Sequence, residues 1–328
     1  MVRGLLTCGF VFGPSACSDD GGSGGAETGG APAEAGGGGA AAAPYDCAAA
    51  PTAPLSDRVM TGPKGYHGLA IDSAGLMFGI DASGMLTRSS YDGDASPFLA
   101  NVEAEQIAFA DSGDLVLASF GGLLGITQEA ERYTIDQTLG GYGLRIGPDG
   151  HAYASSGNGV YRVDLESFES ELLVSAGSDD TARGFDWSPA LDRLYVGVFG
   201  SDVRMGVMVV GLDGDLRATG PLEPFANVSN VPTNDGIAVD ACGNLYVADA
   251  FEKQVTRVTP DGVVSLYLDW SGDPQQHGHG MVFGSGVGGF RDDALYLPMP
   301  FANHAVREVV VGVPSRSWQG ATVNRVGP

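Results

Sequence analysis

No run in this 328-residue chain is apolar for long enough to cross a bilayer as a helix, so any membrane attachment has to come by another route. Basic residues are scarce. The 17 Lys and Arg face 40 Asp and Glu, a formal charge of -23, which opposes nucleic-acid backbones and anionic membrane surfaces. No nucleic-acid partner is expected. A phosphate-binding P-loop, a dinucleotide glycine signature opening a helix, a CxxC pair and a GxSxG nucleophile elbow are all missing. Their absence leaves no motif for nucleotide chemistry, thiol redox work or serine hydrolysis. Apolar residues at helical spacing are almost absent as well, and only four cysteines occur.

A repeated strand-turn-strand phrase is present instead, with a period of roughly 40 residues. Its clearest copy is Asp235-Gly-Ile-Ala-Val-Asp-Ala-Cys-Gly-Asn-Leu-Tyr-Val-Ala-Asp249, an alternating strand, a D-x-x-G turn and a second strand rich in β-branched and aromatic residues. Related copies begin at His67, Gln106, Tyr142 and Arg183, with a looser one at His279. Each interval accommodates four strands, which predicts an all-β six-bladed β-propeller over residues 51–328. The sixth copy lacks a clear outer strand, whereas Asp57-Arg-Val-Met-Thr-Gly62 precedes the first copy. The expectation is that this N-terminal strand completes the sixth blade, because an open ring would expose two sheet edges. The alternative is the ATVNRV segment near the C-terminus.

The first 50 residues are of different composition. A short apolar stretch from Leu5 to Phe12 leads to Pro14-Ser-Ala-Cys17, followed by a Gly/Ala/Asp-rich tract. The pattern resembles a bacterial lipoprotein signal over residues 1–17, with a disordered tether over 18–50. That resemblance implies an exported periplasmic or outer-membrane protein, held to the membrane only by lipid on Cys17. Cys47 and Cys242 then remain, either as a disulfide or as two free thiols.

The fifth copy, together with Gly184-Phe-Asp-Trp-Ser-Pro189 and Arg193-Leu-Tyr-Val-Gly197, resembles the senescence marker protein, gluconolactonase and luciferin-regenerating enzyme family of six-bladed propellers. Its D-x-x-G-N-L-Y-V-A-D phrase is also similar to NHL-type and streptogramin lyase-like propellers. The first family implies a divalent metal in the central funnel, held by Glu, Asn and Asp residues that each precede Gly. The matching positions here are His67, Arg183 and Asp235. Only Asp235 keeps the ligand type, and a guanidinium has no lone pair to offer a metal.

The residues that open the inner strands converge on the mouth of the channel, and Arg183, Asp235, His279 and His67 open blades four, five, six and one, which are neighbours around the ring. One expectation is therefore a metal-dependent lactone hydrolase, in which Asp235, His67 and His279 hold a divalent ion while Arg183 orients substrate. Asp235, His279 and Arg183 are then the catalytic group. A second is a metal-free lyase or hydrolase with His67 or His279 as general base. The third is a non-catalytic binding propeller. The first two place a small-molecule ligand in the central funnel, the third presents its loop face at the cell surface to a small ligand, a glycan or a protein, and a monomer is expected. Replacing these mouth residues is expected to change binding with little effect on thermal unfolding.

Overall fold

The computed structural model describes residues 45–200, 206–228, 234–273 and 277–315. The signal-like segment, Cys17, the tether up to residue 44 and the ATVNRV segment lie outside the described residues. Six four-stranded antiparallel sheets form the ring. Five of them take their strands consecutively from the chain, as in blade five, with Asn234–Val239, Leu245–Asp249, Gln254–Val258 and Val264–Asp269 from inside to outside.

The repeated D-x-x-G phrase has a local cause. Asp240 Oδ1 accepts the amides of Cys242 and Asn244 at 2.9 Å each, and Gly243 takes the positive φ of 78° that closes the turn. Asp72 does the same for Ala74 and Leu76, with Gly75 at φ 79°. An Asp side chain mimicking a backbone acceptor and a residue free to adopt positive φ are what so tight a reversal requires. These turns all lie on the face opposite the mouth.

Blade six is closed by the N-terminal strand. Ser56–Lys64 pairs antiparallel with Ala305–Val310, with Ser56 opposite Val310 and Val59 opposite Arg307, outside Ala294–Met299 and the short inner strand Val282–Phe283. Met60 enters the core beside Leu69, Met77, Phe290 and Tyr296. Glu308 is buried and accepts from Arg58 at 2.5 Å and from Tyr91 and Tyr296 at 2.9 Å each. Between other blades the core is equally aromatic, with Trp187 edge-on to Tyr153 and Phe185 at 4.9 and 5.8 Å.

One departure from the sequence reading is the end of the tether. Residues 45–50 are built into the propeller: Asp46 caps a 3-10 turn at Cys47–Ala49, and Cys47 is disulfide-bonded to Cys242, 195 residues away, with Cα atoms 5.5 Å apart. Composition alone gave these residues no core to bury, but a covalent bond to the blade-five turn orders them without one.

Candidate functional site at the channel mouth

Five of the six inner strands open with a polar or amphipathic residue followed by glycine: His67-Gly68, Tyr142-Gly143, Arg183-Gly184, Asp235-Gly236 and His279-Gly280. A Cβ at Gly236 would strike the backbone carbonyl of His279, and one at Gly280 that of His67; Gly184 meets Asp235 and Gly143 meets Arg183 in the same way. Glycine there lets adjacent inner strands approach closely, which draws each mouth side chain against that of the next blade. The channel just below is consequently almost filled, with a residual volume of about 10 Å³ beside Asp235 and Tyr142.

Arg183, Asp235, His279 and His67 are brought together at this mouth. Arg183 Nη1 donates to Asp235 Oδ1, and its guanidinium lies 4.0 Å above the Tyr142 ring and 5.0 Å from that of Phe199. His279 Nδ1 is 3.0 Å from Asp235 Oδ2, a close contact poorly aligned as a hydrogen bond, and both of its ring nitrogens are buried. The His67 ring stacks on that of His279 at 4.1 Å, and Tyr66 stacks on His67 at 4.0 Å and on His304 at 5.2 Å. His67 Nδ1 bonds to Glu105 Oε2. Gln106 Nε2 reaches the His67 carbonyl at 3.3 Å, and His277 Nδ1 faces the Ala250 carbonyl at 2.6 Å.

The expected metal set of Asp235, His67 and His279 is corrected by this arrangement. Among the described residues no group of three or more His, Cys, Asp or Glu is placed to hold a metal ion. The physical reason is prior occupation: both oxygens of Asp235 face nitrogen partners, and the Nδ1 of His67 faces Glu105. A cation at Asp235 would also sit against the permanent charge of Arg183. The residues therefore do not fit the divalent ion, and no chemistry is routed through one. The general-base role considered for His279 meets a further obstacle, since neither ring nitrogen is open to a bound molecule.

Electrostatics follow from burial and pairing. Burial works to raise the Asp235 carboxyl pKa, but contact with His279 and the charge of Arg183 outweigh it and hold the group below its ordinary value. Burial pushes His279 below the usual imidazole range, the nearby His67 adds to this, and Asp235 only partly opposes it. Both shifts have the same sign in linkage terms. Asp235, with a depressed folded pKa, contributes stability that is lost as pH falls through that value, and His279 protonates more readily once unfolded, so stability falls as pH drops below the ordinary imidazole value of about 6.5. The expected result is lower resistance to urea at pH 5 than at pH 7.5, with His279→Phe flattening the upper part of that decline. A wild-type profile flat across this interval would contradict the assignment.

Several features of the mouth were not read from sequence. Glu105, adjacent to the inner-strand opening at Gln106, is the acidic partner of His67. Arg145 interrupts the apolar inner strand of blade three and crosses the channel to the carbonyls of Ile237 at 2.7 Å and Met281 at 2.9 Å. Four phenylalanines rim the site. Each second strand runs back towards the mouth, and Phe120, Phe199, Phe251 and Phe301 stand at or just after its end in blades two, four, five and six. All are exposed; Phe120 meets Tyr142 at 5.1 Å, and Phe301 meets His277 and His279 at 4.9 and 5.9 Å. Their recurrence at one place in four copies was the legible signal.

Fold and site together define a six-bladed β-propeller with a charge-paired, aromatic-rimmed channel mouth. The chain belongs to the family described as SMP-30/gluconolactonase/LRE-like region, whose model matches residues 57–269. No curated protein matches it in sequence. Among solved structures it is similar to a gluconolactonase from Xanthomonas campestris, at 14% identity over 80% of this chain and 92% of that one, TM-score 0.62. It is also similar to the calcium-binding protein regucalcin from Agrobacterium tumefaciens, at 18% identity over 80% and 96% of the two chains, TM-score 0.59. An auxiliary nutrient binding protein from Bacteroides thetaiotaomicron shares 11% identity over 76% of this chain and 69% of that one, TM-score 0.58.

Proposed function

We propose that the protein is a ligand-binding propeller whose mouth takes a small, uncharged cyclic molecule, a sugar or lactone, without a divalent metal. The carrying observation is the ring of exposed phenylalanines around a floor whose charges are already paired. Flat aromatic faces supply apolar area for stacking against a ring, and a floor with its ions matched has little to gain from a strongly charged ligand. The likeness to an auxiliary nutrient binding protein supports a binding role at the level of the fold. The Cys47–Cys242 bond supports placing this role outside the cytosol, a support withdrawn if both thiols prove free in cells.

The probe is D-glucono-1,5-lactone, titrated into the full chain in the presence of chelator while acid release is followed. Saturable binding that survives chelation, with hydrolysis no faster than in buffer, is the expected result. Phe301→Ala and Phe120→Ala should each weaken binding by about tenfold, the effect of losing roughly 1–1.5 kcal/mol of aromatic contact. Binding abolished by chelator, or unaffected by both substitutions, would overturn the reading. A second reading, metal-free acid–base catalysis, is favoured by one specific feature, the His67–Glu105 pair, in which a carboxylate orients an imidazole as a general base requires. Turnover that survives chelation but is lost in Glu105→Gln would establish it in place of simple binding.

A further inference from the structure

Arg145 divides the channel. Above it lies the mouth; below it, on the face of the D-x-x-G turns, the channel opens into a cavity of about 510 Å³ that extends between blades one and two. That volume is within the range of small-molecule sites. The cavity is lined by Phe78, Phe98 and Phe109 and by Asp72 and Asp111, among others. The three aromatic rings form one cluster, with Phe98 and Phe109 each edge-on to Phe78 at 5.3 and 5.2 Å. Asp111 Oδ1 is buried with no hydrogen-bond partner among the described residues, an uncommon state for a carboxylate oxygen.

We infer that this lower cavity is a second binding site, for a small organic ammonium ion with an apolar body. An ammonium group combines the two features present, since it donates to a carboxylate and is attracted to aromatic faces. The two guanidinium groups along the wall do not redirect the site towards anions. Arg145 is committed to two backbone carbonyls across the channel, and Arg88 lies over the Phe98 ring at 5.9 Å with its Nε on Ser96. The formal charge of -23 on the whole chain adds a field that concentrates cations near it. This inference is independent of the reading of the mouth, from which Arg145 separates it.

Calorimetric titration of 2-phenylethylammonium into the full chain tests it, with 2-phenylethanol and phenylacetate as the neutral and anionic counterparts. One saturable site is expected, binding the ammonium ion about tenfold or more tightly than the alcohol and still filled when D-glucono-1,5-lactone saturates the other face. Asp111→Asn should erase the preference over the alcohol, and Phe98→Leu, which keeps volume but removes a ring face, should reduce ammonium affinity more than alcohol affinity. The inference is overturned if no saturable binding occurs at millimolar probe, if phenylacetate binds as well as the ammonium ion, or if a folded Asp111→Asn protein keeps the preference. Competition by the lactone would place the probe at the mouth and overturn it equally.

Discussion

Asp235→Ala is expected to lower the unfolding free energy by about 3 kcal/mol, towards the low end for breaking a buried ion pair. The cost comes mainly from what is left behind. With its carboxylate gone, the partly buried Arg183 guanidinium has lost its anionic partner, and it remains held over Tyr142 and Phe199. Those rings retain some cation–π attraction, which keeps the loss from reaching the upper end of the range. His279 loses its contact with the Asp235 carboxylate in the same step. The double variant Asp235→Asn, Arg183→Met should recover most of the loss, because removing both charges also removes the need to desolvate them. Urea unfolding of the two proteins checks this; a single variant as stable as wild type would show that the pair is not formed in solution. Sequence reasoning expected little change in unfolding, having treated Asp235 as an open ligand when it is an interior member of a charge pair.

Deleting residues 45–64 is expected to have the largest effect, the loss of a cooperatively folded, soluble protein. The deletion removes a strand, a core side chain and the disulfide together. Without Ser56–Lys64, the strand Ala305–Val310 becomes an unpaired edge, a template for association with other chains. Met60 leaves a gap beside Phe290 and Tyr296, and Glu308 loses the Arg58 partner that balances its buried charge. Asp57 and Arg307, joined at 2.6 Å, are separated as well. Loss of the 195-residue covalent link then frees the unfolded chain, worth about 2–4 kcal/mol by itself. A monomeric deletion variant with the wild-type denaturation profile would contradict N-terminal closure.

The fold was legible because its determinants are local and repeated. The inner turns of blades one and five each carry an Asp acceptor and a positive-φ glycine, and six related strand-turn-strand copies at a period of roughly 40 residues leave few architectures to consider. Closure was legible by subtraction, since one blade lacked an outer strand and one strand lacked a blade. The mouth was legible only in outline. Ring order made Arg183, Asp235, His279 and His67 neighbours, but whether neighbours share a metal or neutralise one another depends on side-chain directions across blades, which no spacing encodes. Glu105 was passed over because the residue beside it occupied the repeat position. Arg145 acts across the channel on carbonyls far away in sequence, and the pairing of Cys47 with Cys242 needed a distance between two segments that the sequence leaves undetermined.

The central claim is that the mouth is a charge-paired ligand site and not a divalent metal centre. Calcium titration calorimetry on the chelator-treated full chain tests it most directly. The expected result is no one-to-one binding isotherm, because Arg183 and His279 already occupy both oxygens of Asp235. A one-equivalent calcium site that disappears in Asp235→Asn would contradict it.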